Sequence, residues 1–200
     1  MTARIRPARE SDGTAVAAIY RPSVDGSVIS FEIDAPSAAV MARRIVETSR
    51  AYPWLVCEVD GHVAGYAYAS RHAERAAYRW TVNVSVYVEA AFHRRGIGRA
   101  LYRSLFAILA AQGYRLACAG ITLPNAASVG LHESLGFTPV GVYRAVGYKL
   151  GAWRDVGWWQ LALARDDGRP PSEPIEMAAV EARPDWPALL ACGETSLRAE

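Results

Sequence analysis

Two short segments hold most of the residues that could do chemistry in this 200-residue chain. The first is Phe92-His93-Arg94-Arg95-Gly96-Ile97-Gly98-Arg99-Ala100. Two glycines two apart at a helix start leave backbone N–H groups uncovered, and those donors together with the helix dipole suit a phosphate. Arg94, Arg95 and Arg99 add charge that can pair with phosphate oxygens. Leu101 stands where a dinucleotide fingerprint needs its third glycine, and no Gly-Lys-Ser/Thr follows, so neither a Rossmann nor a Walker loop is present. The alternative is a tight turn with solvated arginines. The second segment runs from Asn125 to Phe137. Asn125 is placed to open a helix, and Ser128 and His132, four apart, share one of its faces. His132 could donate or relay a proton near neutral pH; the alternative is a satisfied core histidine. Cys118, between Ala117 and Ala119, reads as a buried structural thiol rather than a nucleophile.

The elements that must position these residues alternate between helical and strand patterns over residues 1–164. Ala3 to Arg6 reads as a strand, and helices follow at about 12–21 and 37–50, with Pro36 at a position that tolerates proline. Trp54–Val59, Asp60-Gly61 and Val63–Ala69 predict a β-hairpin with a two-residue turn. From Trp80 to Glu89 the alternation is strict: Trp80, Val82, Val84, Val86 and Val88 on one face, Thr81, Asn83, Ser85, Tyr87 and Glu89 on the other. That polar face meets either solvent or a cleft. A helix over 96–112 is expected to stop at Gly113, followed by a strand at 116–123, a short helix ending near Ser134, and strands at about 138–147 and 156–164. The order predicts an α/β chain with a mixed, largely antiparallel sheet. After Ala164 comes a run rich in Pro, Gly and charge, so residues 165–200 read as a tail, either disordered or docked through Trp186, Leu189 and Leu190.

Composition narrows the function classes. Hydrophobic residues make up 52% of the chain, enough core material to exclude a wholly disordered protein. The net charge of +2 is too even for a nucleic-acid or anionic-membrane footprint. The apolar run Leu105–Ala111 is far below the ~20 residues of a membrane span, and the first residues lack the apolar stretch of a signal peptide. Cys57, Cys118 and Cys192 have no metal-ligand spacing and fit free thiols in a reducing cytoplasm.

Together, the strand, Gly-x-Gly turn, helix, strand and Asn-x-x-Ser-x-x-x-His-x-x-x-Gly-Phe resemble the GNAT family of acetyl-CoA-dependent N-acetyltransferases. Tyr52-Pro53-Trp54-Leu55-Val56, Tyr66-Ala67-Tyr68-Ala69, Tyr78-Arg79-Trp80-Thr81, Val86-Tyr87-Val88, Leu123-Pro124-Asn125 and Asp155-Val156-Gly157-Trp158-Trp159-Gln160 look like its phosphinothricin N-acetyltransferase subfamily, over about residues 3–163. Gly141-Val142-Tyr143 and Gly151-Ala152-Trp153-Arg154-Asp155 look most like the arsinothricin-resistance branch.

The resemblance implies a GNAT fold whose central strands splay apart, and a cytoplasmic homodimer that acetylates a small amino acid with acetyl-CoA as cosubstrate. It implies that the backbone of Val86, Tyr87 and Val88 pairs with pantetheine and that Arg94, Arg95, Gly96, Ile97, Gly98 and Arg99 hold the pyrophosphate. Asn125 and Ser128 would fix the pantetheine and thiol end, and His132, where the family often has Tyr, would protonate the leaving thiolate. Phe31, Arg75 and Tyr78 match substrate-pocket positions, and a guanidinium at Arg75 suits an acidic group. His93 replaces the usual Gln or Arg before the first glycine, and Ala73 replaces a Lys found in some members. Asn83 stands where the subfamily commonly has a Glu general base, and an amide cannot take a proton. Asn83 would then position a water, or Glu89 or Glu32 would serve instead, or the enzyme would be slow. A non-catalytic acetyl-CoA-binding protein and an acetyltransferase for another amine are the alternatives, and no metal is implied.

Overall fold

The computed structural model describes residues 2–165, 168 and 170–198. Seven strands form one sheet in the order β1-β2-β3-β4-β5-β7-β6. They are β1 (Ala3–Pro7), β2 (Trp54–Val59), β3 (His62–Arg71), β4 (Thr81–Val88), β5 (Leu116–Leu123), β6 (Thr138–Lys149) and β7 (Ala152–Ala162). Every neighbouring pair is antiparallel except β4 with β5. The mixed, largely antiparallel sheet expected from the sequence is therefore present.

Two helical layers cover it. On one face lie α1 (Gly13–Asp25) and α2 (Ala38–Thr48), packed on Trp54, Val56, Val63 and Tyr66. On the other lie α3 (Ile97–Gln112) and α4 (Ala126–Glu133), packed on Leu55, Cys57, Val82, Val84, Ala117 and Ala119. Successive residues of β2 thus enter opposite cores, as a strand buried on both faces requires.

Local chemistry explains most boundaries. The Ser37 hydroxyl accepts a hydrogen bond from the Val40 N–H, capping α2. The left-handed Gly113 closes α3. Three predicted elements extend beyond their expected bounds. The helix predicted at 12–21 runs through Pro22 to Asp25, because Val24 is buried against the α1–α2 core. Strands β6 and β7 form one long hairpin across Leu150-Gly151, both left-handed. Leucine is not a turn residue by composition, so residues 148–155 gave no hairpin signal.

The segment after β7 crosses the outside of α3. It contains α5 (Met177–Glu181), α6 (Trp186–Ala191) and a 3-10 turn at Glu194–Ser196. Ser104 Oγ donates to Leu190 O at 2.6 Å, and Gln112 Nε2 donates to Ile175 O at 2.9 Å. Ile5 N donates to Glu194 Oε1 at 2.8 Å, and Arg198 N to Arg95 O at 3.1 Å. Residues 172–198 are therefore docked rather than trailing. Asp166, Asp167 and Arg169 of the breaker run lie outside the described residues.

Candidate functional site

The parallel pair β4–β5 is joined only over Thr81–Asn83 with Leu116–Cys118, and then the strands part. A slot opens between them. It is lined by Val84, Ser85, Val86 and Tyr87 of β4, Ala119, Gly120, Ile121 and Thr122 of β5, and Tyr102, Asn125, Ser128 and His132 from the α3–α4 side, with Ile29 opposite. Val84, Ala119 and Ile121 belong to the α3-side core, whereas Tyr87 packs with the α1-side core. The slot therefore passes through the sheet and has two chemically different mouths. The polar face of β4 lines a cleft rather than meeting solvent.

The α3-side mouth holds a histidine–tyrosine pair. The Asn125 side chain caps α4 by accepting from Ser128 N at 3.1 Å. His132, one turn on, is 4% exposed. Its Nδ1 donates to Ser128 O at 2.8 Å, which leaves Nε2 as an acceptor for the Tyr102 hydroxyl at 3.0 Å. Burial pushes the His132 pKa below the usual imidazole value, against the smaller opposing pull of the Ser128 carbonyl. Burial likewise pushes the Tyr102 phenol well up. Both are neutral at pH 7, and the Tyr102 hydroxyl proton lies between them. Tyr102 was missing from the sequence analysis, because inside a helix it reads as one more core position.

Next to this mouth is the turn before α3. Gly96 caps the helix with φ +81°, and Arg94 is also left-handed at φ +65°. The first N–H groups of α3 are thus left without an intrahelical partner. Not every arginine of the turn faces outward. Arg99 donates to the Ser134 carbonyl and hydroxyl at 3.2 and 2.8 Å, tying α3 to the end of α4. Arg95 lies over the Phe92 ring at 5.2 Å. His93 Nε2 donates to Val88 O at 3.0 Å. Beyond Asn83, the edge of β4 that faces β5 pairs with no strand. An extended arm with amide groups can add there as a strand would.

The opposite mouth is aromatic. The Trp158 ring covers Gly120, where a Cβ would lie 3.3 Å from it, and Tyr143 packs 6.0 Å from Trp158. The Phe31 ring lies against Gly147 with no room for a side chain there. Lys149, 6% exposed, donates to the Val24, Ser30 and Glu32 carbonyls at 2.7, 2.7 and 2.8 Å. It closes the loop that carries Ile29 and Phe31 over the slot. Arg75 opens the 3-10 turn Ala76–Tyr78 and is exposed, as is Tyr78; neither lines the slot itself.

Two carboxylates named as possible proton acceptors are committed elsewhere. Glu32 receives both ends of the Arg44 guanidinium at 2.8 and 3.0 Å and the Tyr20 hydroxyl at 3.0 Å. The Arg44 bonds hold its carboxyl below the usual range, outweighing the opposing desolvation. Glu89 pairs with His62 on the surface, away from the slot. Cys118 is buried, and that burial pushes its thiol pKa up, so it offers no thiolate. Among the described residues, no group of three His, Cys, Asp or Glu is arranged to hold a metal ion. None of the described helices is long and apolar enough to cross a membrane.

The Acetyltransferase (GNAT) domain family matches residues 5–158. The phosphinothricin N-acetyltransferase of Streptomyces viridochromogenes is 44% identical over 156 residues, covering 78% of this chain and 85% of that protein. The L-methionine sulfoximine/L-methionine sulfone acetyltransferase of Salmonella typhimurium is 35% identical over 80% of this chain and 94% of its own. Among solved structures, a GNAT phosphinothricin acetyltransferase from Sinorhizobium meliloti in complex with acetyl-CoA superposes with a TM-score of 0.81. It is 37% identical, over 86% of this chain and 95% of that one. A through-sheet slot beside a Gly-x-Gly helix start, matched over nearly the whole sheet by these relatives, establishes that the chain belongs to the GNAT acetyltransferase family, in its phosphinothricin N-acetyltransferase branch.

Proposed function

We propose that this protein moves the acetyl group of acetyl-CoA to the α-amino group of a glutamate-analogue amino acid, of the phosphinothricin, arsinothricin or methionine sulfoximine/sulfone type, and so confers resistance. The observation that carries this function is the slot through the sheet. A thioester arm laid along the open edge of β4 presents its carbonyl to an amine arriving from the aromatic mouth. The α3-side mouth then faces the sulfur. The backbone of Val86, Tyr87 and Val88 and the N–H donors of the turn at Arg94–Arg99 bind the cosubstrate, with Asn125 and Ser128 at its thiol end. Positioning and oxyanion stabilisation by such donors supply most of the acceleration. Phe31, Arg75 and Tyr78 form the substrate side, and the Arg75 guanidinium takes the acidic group. The Gly141-Val142-Tyr143 and Trp153-Arg154-Asp155 segments, which lie on the β6–β7 hairpin, favour arsinothricin among the analogues.

The test is thiol release from acetyl-CoA against phosphinothricin, arsinothricin, methionine sulfoximine, methionine sulfone and plain amino acids. Saturable turnover on a glutamate analogue supports the assignment. Tight binding of acetyl-CoA without turnover on any amine would instead mark a binding protein.

The Tyr102–His132 pair is the proton source for the leaving thiolate. Tyr102 lines the slot, and His132 Nε2 is the acceptor that holds its hydroxyl in place. Replacing Tyr102 with Phe is expected to lower kcat by roughly 10²-fold while acetyl-CoA affinity stays unchanged. An equal loss of cosubstrate binding would make the pair a binding element instead.

The β6–β7 hairpin exposes Val142, Tyr143, Val146, Tyr148, Leu150 and Trp153. Exposed apolar surface of this extent marks an interaction site. A second copy of the chain is the proposed occupant, giving a cytoplasmic homodimer consistent with three free cysteines. Sedimentation equilibrium is expected to give the mass of two chains, reduced to one by Trp153→Asp.

A further inference from the structure

The acetyl-transfer reaction needs a proton acceptor on the amine side of the slot, and neither Glu32 nor Glu89 is available. At the apex where β4 and β5 part stands Asn83, the last paired residue of β4. Its side chain shares a strand face with Ser85 and Tyr87, which both line the slot. His72, in the loop after β3, places Nδ1 2.8 Å from Asn83 Oδ1. The Asn83 amide nitrogen lies toward Arg71 O at 3.5 Å, which fixes its oxygen on the histidine side. An amide oxygen only accepts, so the proton of this pair sits on His72 Nδ1 and Nε2 is left with a bare lone pair.

The ring is held from three sides. Trp158, which covers Gly120 in the slot wall, meets it edge-on at 6.2 Å and 88°. Tyr78 meets it at 5.8 Å and 61°. Asn83 closes the third side. The nearest charged side chains in sequence, Arg71 and Glu74, are bonded to one another at 3.1 Å rather than to the ring. This is the arrangement of an imidazole oriented by an amide and flanked by two aromatic rings.

We propose that His72, oriented by Asn83, is the general base that removes the proton from the attacking amine. This rests on the acetyltransferase function above. The amine nitrogen forms a bond to the thioester carbonyl carbon, and the nitrogen proton passes to His72 Nε2. The C–S bond then breaks with its electron pair on sulfur, and the thiolate takes a proton from the Tyr102–His132 side. One proton leaves nitrogen and one arrives at sulfur, on opposite faces of the sheet. Asn83 is then a positioning residue: its oxygen selects the tautomer and stabilises the imidazolium. The sequence offered no sign of this pair, because residues 72 and 83 are joined only when β3 and β4 fold back on each other.

The experiment measures thiol release by the full chain across pH for the wild type, His72→Gln, His72→Ala, Asn83→Asp and Asn83→Leu, with acetyl-CoA affinity measured separately by calorimetry. Wild-type turnover on a panel amine establishes the parent function by itself, and its complete absence overturns that function and this role together. Given turnover, His72→Gln is expected to lower kcat by roughly 10²- to 10³-fold, to change the shape of the pH profile, and to keep its affinity for acetyl-CoA. Added imidazole is expected to restore part of the rate in His72→Ala. Asn83→Asp keeps an acceptor for Nδ1–H and retains most activity, whereas Asn83→Leu loses it. Unchanged kcat and pH profile in His72→Gln overturns the role. So does a loss of cosubstrate affinity parallel to the loss of rate, which would make the ring structural.

Discussion

Replacing Lys149 with Met is expected to be the most damaging single change away from the reacting groups. The ammonium is buried and is shared by three carbonyls, from Val24 at the end of α1 and from Ser30 and Glu32 in the following loop. Hydrogen bonds from a charged donor contribute more than neutral ones, and each carbonyl left without a partner in a buried site keeps its desolvation cost. Methionine fills the space but donates nothing, so the expected loss is about 3 kcal/mol. In a domain of this size that lowers Tm by roughly 6–12 °C. The functional consequence is specific. The released loop carries Ile29, which lines the slot, and Phe31, which packs on Gly147. The amine's KM should therefore rise while the affinity for acetyl-CoA, held from the α3 side, stays the same. Thermal unfolding together with separate titrations of the two substrates checks both statements. Unaltered stability in the Met variant would show that the three bonds contribute nothing net.

Replacing Gly96 with Val is expected to abolish tight acetyl-CoA binding without touching the reacting groups. Residue 96 has φ +81°, a conformation that costs a β-branched residue of order 1–3 kcal/mol. A side chain there would also run into the Ser196 carbonyl of the docked C-terminal segment. The neighbouring bond from Arg198 N to Arg95 O pins the same turn from outside. With both the strain and the overlap, the turn must move, and the N–H groups that open α3 no longer converge on one point. Affinity for acetyl-CoA should fall by at least roughly 10- to 100-fold, the equivalent of that strain. Gly26→Ala, away from this turn, is the control. Gly26 has no left-handed φ, and its Cβ would lie 3.8 Å from the Pro22 carbonyl, an ordinary contact. Calorimetric titration of both variants with acetyl-CoA checks the contrast. Wild-type affinity in Gly96→Val would remove this turn from the cosubstrate site.

The difference between Gly96 and Lys149 is also the difference between what could and could not be read beforehand. The Gly96-Ile97-Gly98 turn, the helix start at Asn125, the Asp60-Gly61 hairpin and the alternation of β4 are local: each is set by residues within a few positions of one another, so spacing alone revealed them. The docking of residues 172–198 was left open, because a short segment with a few apolar residues is stable only if a complementary surface exists, and the surface on α3 forms only after the sheet does. The β6–β7 hairpin was read too short for a related reason. Its turn at Leu150-Gly151 is dictated by the pairing of two long strands and not by turn-forming residues.

The sequence by itself determined the element order, the helix start that suits a phosphate, and the placement of Asn125, Ser128 and His132 on one short helix. Only the tertiary structure decided which groups meet. It sent the polar face of β4 into a slot, turned His132 from a free acid into the acceptor of the Tyr102 proton, and committed Glu32 to Arg44. It also brought His72 to Asn83, 11 residues away, and Lys149 to Ser30, 119 residues away. The physical reason is that periodicity records which side of an element is buried, whereas a proton's path depends on which two polar atoms come within about 3 Å, and that is set by strand register and packing.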